Sequence, residues 1–177
     1  MSIYSRFSHH ARRALTHAGL LVNRYHHPGI DTGHLLVGVM LTKGSVGYTV
    51  LNSLKLDVDS AWLHLESIIT PITPPEHNPP NQKSLDTALV QAADEATWLG
   101  HHYIGTGHLL LGITRTNEGN AGELLNMMNV VPDQVRHRVR HALNDGHIEY
   151  NLHHVRRDIR LSELSRRVIN AAEQLSV

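Results

Sequence analysis

The stretch Ile30-Asp31-Thr32-Gly33-His34-Leu35-Leu36-Val37-Gly38 returns 74 positions later as Ile104-Gly105-Thr106-Gly107-His108-Leu109-Leu110-Leu111-Gly112. The register holds without a gap on both sides. Upstream, Ala14, Leu15, Ala18 and His27 fall on Ala88, Leu89, Ala92 and His101. Downstream, Thr42, Leu51, Asn52 and Asp59 fall on Thr116, Leu125, Asn126 and Asp133. Chance produces single short matches. Fifteen identities at one offset, with apolar character kept between them, mark an internal duplication.

Each copy reads as four helices. Ala11, Ala14, Leu15, Ala18 and Val22 recur at helical spacing, which predicts a first helix from Ser8 to Tyr25. Its counterpart runs from Ser84 to Leu99, and Gly100 stops it. Second helices start at Thr32 and Thr106, whose hydroxyls suit an N-cap. Gly44 and Gly119 mark the next breaks, before short third helices at Val46–Leu54 and Ala121–Met128. Asp57 or Asp59 opens the fourth helix of the first copy, and Pro132-Asp133 that of the second.

Five of the seven prolines fall between Pro71 and Pro80, which excludes helix there. The expected organisation is a first repeat at 1–70, a Pro-rich linker at 71–83, a second repeat at 84–146 and an extension at 147–177. The extension carries an expected helix from Leu161 to Leu175. Its Ser162, Arg166, Arg167 and Ala172 echo Ser8, Arg12, Arg13 and Ala18, as a capping helix or the start of a third copy would.

Composition narrows the function classes. Of 177 residues, 41% are apolar, enough for a globular core. Lys plus Arg equals Asp plus Glu, so the whole-chain charge calls for neither nucleic acid nor membrane. Sixteen histidines make that charge pH-dependent. Cysteine is absent, which removes disulfides, thiol catalysis and Cys metal sites and fits a reducing, cytoplasmic setting. No signal-peptide pattern and no apolar run of spanning length is present, so a soluble protein without membrane contact is expected. No phosphate loop and no nucleophile elbow occur in these residues, so no enzyme activity and no cofactor are expected.

The stretch Leu99-Gly100-His101-His102-Tyr103-Ile104-Gly105-Thr106-Gly107-His108-Leu109-Leu110-Leu111-Gly112-Ile113 resembles the signature of the N-terminal domain of Clp-type AAA+ unfoldases. In that signature Leu-Gly-His leads to Tyr-Ile-Gly-Thr-Glu-His-Leu-Leu-Leu-Gly. Asn117-Glu118-Gly119 resembles the family's Gly-Glu-Gly turn, and Thr32-Gly33-His34-Leu35-Leu36-Val37-Gly38 is the matching part of the first copy. The resemblance covers about residues 7–144. It implies an all-α fold of two four-helix repeats related by a pseudo-twofold. It also implies a module that binds substrate and adaptor proteins, either on the ATPase ring or free-standing. Some members recognise phosphorylated arginine through the Glu before the His. Here Gly33 and Gly107 take that place, and glycine cannot supply the bidentate carboxylate. The Thr expected near the start of the first helix is Ser8 in one copy and Gln82 in the other.

Three sets of candidate site residues follow. The first is a ligand groove at the helix starts, formed by Ser8, Thr32, Gly33, His34, Thr106, Gly107 and His108, where free amides favour an anion. The competing reading packs His34 and His108 as internal hydrogen-bonding groups. The second set is His137 and His141, four apart on one helix face, a zinc or nickel pair if His147 or Asp145 joins them. The adjacent pairs His9-His10, His26-His27, His101-His102 and His153-His154 point apart and make poor chelates, as surface histidines would. The third set is Arg136 and Arg140 with Arg156 and Arg157, a patch for an acidic partner or a solvated face. Without interleaved aromatics a nucleic-acid role is weak. The expected function is a non-enzymatic protein-binding module for a Clp ATPase or protease, an adaptor or a substrate. A His-rich metal-binding protein and a nucleic-acid-associated protein are the alternatives.

Overall fold

A computed structural model describes residues 3–69, 82–116 and 118–146. The expected linker as far as residue 81 and the C-terminal helix lie outside them, while the linker's last two residues, Gln82 and Lys83, are helical. After a short 3-10 turn at Ile3–Arg6 come α1 (His9–Tyr25), α2 (Thr32–Leu41), α3 (Val46–Ser53) and α4 (Val58–Ile69). The second copy supplies α5 (Gln82–Trp98), α6 (Thr106–Arg115), α7 (Asn120–Met127) and α8 (Pro132–Asn144). The fold is all-α, and the expected breaks fall where glycine and proline placed them. Gly44 and Gly119 sit at φ 82° and 91°, a region where a side chain is strained. Pro132 opens α8, where its missing N–H costs nothing.

The caps of the second helices differ from expectation. Thr32 and Thr106 are the first residues inside α2 and α6, not their caps. Asp31 caps α2, its carboxylate accepting from the Gly33 N–H at 3.2 Å. In the second copy the cap is Gly105, which has no side chain. The threonine hydroxyls are turned to another use, described below.

Helices α2 and α6 form the centre. Every residue from Thr32 to Met40 is buried, and so is every residue from Thr106 to Thr114. A helix buried on all sides must be covered by neighbours on all sides. Helix α1 covers α2, and α5 covers α6. The two pairs close so tightly that glycine is required at each crossing. A Cβ at Gly38 would stand 2.3 Å from the Ala14 carbonyl oxygen, and one at Gly112 would stand 2.1 Å from that of Ala88.

The remaining cover is exchanged between the copies. Helix α3 of the first copy packs against α6 and α8 of the second. Helix α7 of the second packs against α2 and α4 of the first. The same exchange shows in single hydrogen bonds. Ala121 N–H, in α7, donates to Thr32 Oγ1 at 3.2 Å. Gly47 N–H, in α3, donates to Thr106 Oγ1 at 2.8 Å. Both donors and both acceptors are related by the offset of 74, as a pseudo-twofold demands. Each bond satisfies a first-turn amide that its own helix leaves free. Among the described residues one isolated β-bridge ties Phe7 to Ile104, with Ile104 N–H donating to the Arg6 carbonyl at 2.7 Å.

Candidate functional site

The helix starts carry a matched pair of histidine relays. Asp31 N–H donates to His34 Nδ1 at 3.1 Å, and Gly105 N–H donates to His108 Nδ1 at 3.0 Å. A ring nitrogen that accepts carries no proton, so each ring is protonated at Nε2. Those Nε2–H groups donate onward to His27 Nδ1 and His101 Nδ1, at 2.9 Å in both copies. Both relays therefore require neutral imidazoles. Burial above all holds His34 down to about 4 and His108 down to about 3. Around the first relay stand Asp31, Glu66, Tyr25 and Trp62; around the second stand Arg6 and Tyr103. His27 and His101, expected as surface residues, are half-buried members of these relays.

Asp31 has no counterpart in the second copy. It is 4% exposed. Its Oδ1 accepts from Thr32 Oγ1, from Gly33 N–H and, across the seam, from Asn120 N–H at 2.8 Å. Its Oδ2 accepts from Ser84 Oγ at 3.3 Å. One carboxylate thus occupies the converging starts of α2, α5 and α7, where helix dipoles favour an anion.

These contacts correct the expected ligand groove. Ser8, Thr32, Gly33, His34, Thr106, Gly107 and His108 are all buried, and none lines an open surface. Ser8 caps α1 by accepting from Ala11 N–H at 3.0 Å. A Cβ at Gly33 would meet Leu65 Cδ1 at 2.5 Å and Asn120 Cβ at 3.2 Å. At Gly107 it would touch Val46 Cγ1 at 3.3 Å. Glycine here lets the exchanged helices α7 and α3 approach.

His137 and His141 line a cleft of about 450 Å³ between α3 and α8, with Val46, Val50 and Ala142. His141 Nδ1 lies 2.7 Å from Asp145 Oδ2, so the expected third ligand contacts one histidine directly. Among the described residues no three His, Asp or Glu side chains converge as metal ligands. His147 lies outside them.

Of the arginine patch, Arg136 and Arg140 stand on the outer face of α8, and Arg156 and Arg157 lie outside the described residues. Arg140 Nη2 donates to Glu95 Oε2 at 3.3 Å, and Arg115 Nη1 donates to Glu95 Oε1 at 3.4 Å. Arg136 Nη1 donates to the Thr114 carbonyl at 2.9 Å, and the same guanidinium pairs with Asp133. The Arg140 guanidinium also sits 5.6 Å from the centre of the Trp98 ring, an aromatic 75% exposed. The sequence reading missed Glu95, Arg115 and Trp98. The available signal was that Trp98 falls on Arg24 at the repeat offset, a change of chemistry where the core positions match.

The sequence profile of the Clp repeat (R) N-terminal domain family matches residues 6–86 and again 81–176. The chain belongs to the Clp N-terminal repeat family. It is 31% identical over 147 residues to the chaperone protein ClpB of Oceanobacillus iheyensis, covering 81% of this chain and 18% of that one. It is equally similar, over the same shares, to the negative regulator of genetic competence ClpC/MecB of Bacillus subtilis. The chain thus spans about a fifth of the length of these relatives. The fold matches the N-terminal domain of the chaperone ClpD of Arabidopsis thaliana with a TM-score of 0.64 and 18% identity, over 78% of this chain and 95% of that one. The N-terminal domain of the ClpV1 ATPase from Escherichia coli matches at 0.54 and 24% identity, over 76% and 84%. In this family the double repeat is a module distinct from the ATPase domains. No single described helix is long and apolar enough to cross a membrane.

Proposed function

We propose that the chain is a non-enzymatic protein- or peptide-binding module of the Clp unfoldase and protease system, serving substrate recognition, adaptor or regulatory work in the cytoplasm. The carrying observation is the division of its surface. The repeated polar motif is spent inside the seam, while large apolar side chains are left outside. Leu63 is 65% exposed, Leu20 56% and Trp98 75%. Such groups on a rigid scaffold supply contact area to a protein partner. The working division remains a first repeat at 1–70, a linker at 71–83, a second repeat at 84–146 and an extension at 147–177. Helix-start residues hold the copies together in this reading. Partner contact falls to the outer faces, including Arg136 and Arg140.

The test is direct binding of the purified chain to the purified Clp ATPase and Clp protease of the same organism, and to a permanently unfolded substrate such as casein. Saturable binding to any of them supports the module. Absence of binding to all three, with the chain folded by circular dichroism, overturns it.

A further inference from the structure

We infer that the outer face formed by Trp98, Arg115 and Arg140 docks an acidic peptide segment that also carries apolar side chains. The inference deepens the protein-binding reading and rests on it.

Trp98 is one of two tryptophans. The other, Trp62, is partly buried, with its ring 4.3 Å from that of Tyr25. Trp98 stays in water at 75% exposure with one face under the Arg140 guanidinium. The flanking arginines are held in advance. Glu95, whose side chain is only 9% exposed, takes one hydrogen bond from Arg115 and one from Arg140. An arginine has five N–H donors. The guanidinium side chains remain about half exposed, at 52% and 46%, and have donors to spare for a ligand. Fixing them through a buried carboxylate lowers the ordering cost of binding.

Arg115 and Arg140 share one carboxylate, Glu95, a local excess of one positive charge that suits a carboxylate-bearing ligand of modest charge; over the whole cleft Arg115, Arg136 and Arg140 balance Asp94, Glu95 and Asp133. Together the three arginines, Asp94, Asp133 and Trp98 edge a cleft of about 690 Å³, with Glu95. Asp133 is engaged by Arg136, and Glu95 lies beneath the guanidiniums. A carboxylate can take the spare donors bidentately, and the indole can take an apolar neighbour. A polyphosphate backbone would meet Asp94 and Asp133 and find a single aromatic to stack on.

The first copy shows that the fold does not need this face. At the offset of 74, Glu95, Trp98, Arg115, Arg136 and Arg140 correspond to Leu21, Arg24, Leu41, Trp62 and Glu66. The same helices form there around a different set of side chains.

The experiment uses the full chain with Trp62→Phe, so that Trp98 alone reports by fluorescence. The probes are a synthetic peptide of alternating Asp and Leu, its Lys-and-Leu counterpart, and a single-stranded DNA oligonucleotide. The expected result is a saturable change with the Asp peptide only, weakened by added salt. Arg140→Gln and Arg115→Gln each weaken it about tenfold. Trp98→Ala, followed by calorimetry, weakens it as much. All three side chains are exposed, so these variants remain folded, and circular dichroism checks that. Equal binding of the Lys peptide, preference for DNA, unchanged affinity in the arginine variants, or no binding each overturns the inference. If the wild type still binds the Clp ATPase, protease or casein, the wider reading survives that failure.

Discussion

The two helix starts share one frame and differ in one carboxylate. Each has a threonine accepting from the other copy's third helix, and each has a neutral histidine relay of the same length. Only the first has Asp31, whose two oxygens gather donors from α2, α5 and α7. Gly105 leaves the second without that acceptor. The neighbouring charges differ as well. Asp31 opposes the lowering of the His34 pKa, whereas Arg6 adds to that of His108. What is duplicated carries the fold, and what occurs once adjusts it.

Acid is the strongest way to break the shared frame. An unfolded histidine takes up its proton near pH 6.5, whereas His34 and His108 resist it to about 4 and about 3. Their contribution is complete above pH 6.5 and declines as pH falls, because the unfolded chain then binds more protons. By about pH 4.5 the two together remove about 5 kcal/mol, comparable with the whole stability of many domains. Urea melts at neutral and acid pH measure this, and an unchanged midpoint would refute the neutral relays. Next come the helix crossings. Gly38→Ala and Gly112→Ala each push a methyl group into a backbone carbonyl, and each costs about 3 kcal/mol. Similar losses at both sites would affirm the symmetry; a mild effect at either would break it.

Asp31→Ala tests the difference between copies. It strands the donors of Gly33, Asn120 and Ser84 and costs about 2 kcal/mol. Asp31→Asn keeps an accepting oxygen and costs less, about 1 kcal/mol. If the alanine variant melts like the parent, the carboxylate is not a tie. The smallest effect is a tuning of the relays. Arg6→Gln raises the His108 pKa, and Asp31→Asn lowers that of His34. Histidine NMR titration reads both, and a shift of the opposite sign at either ring contradicts the assignment of neighbours.

The helical frame was legible because duplication and helix punctuation are local signals. Gly100, Gly44, Gly119 and Pro132 act where they stand, and the offset of 74 needs no structure. The site was less legible for two physical reasons. Thr32 meets Ala121 across 89 positions, so nothing near Thr32 says that its hydroxyl faces another helix rather than a ligand. Self-comparison also favours residues that occur twice. Asp31 faces Gly105 and Trp98 faces Arg24, so both drop out of a list of identities. The mismatches, more than the matches, pointed to what distinguishes one surface from the other.

The exchange of α3 and α7 has a consequence for how such a chain can change. In a dimer of two identical polypeptides every substitution arrives twice, once on each side of the axis. Here the same interface lies within one chain, and a mutation strikes one side alone. Asp31 without an aspartate at 105 is an asymmetry that only covalent joining permits. Once the halves are fused, one can hold the shared architecture while the other is free to acquire new chemistry.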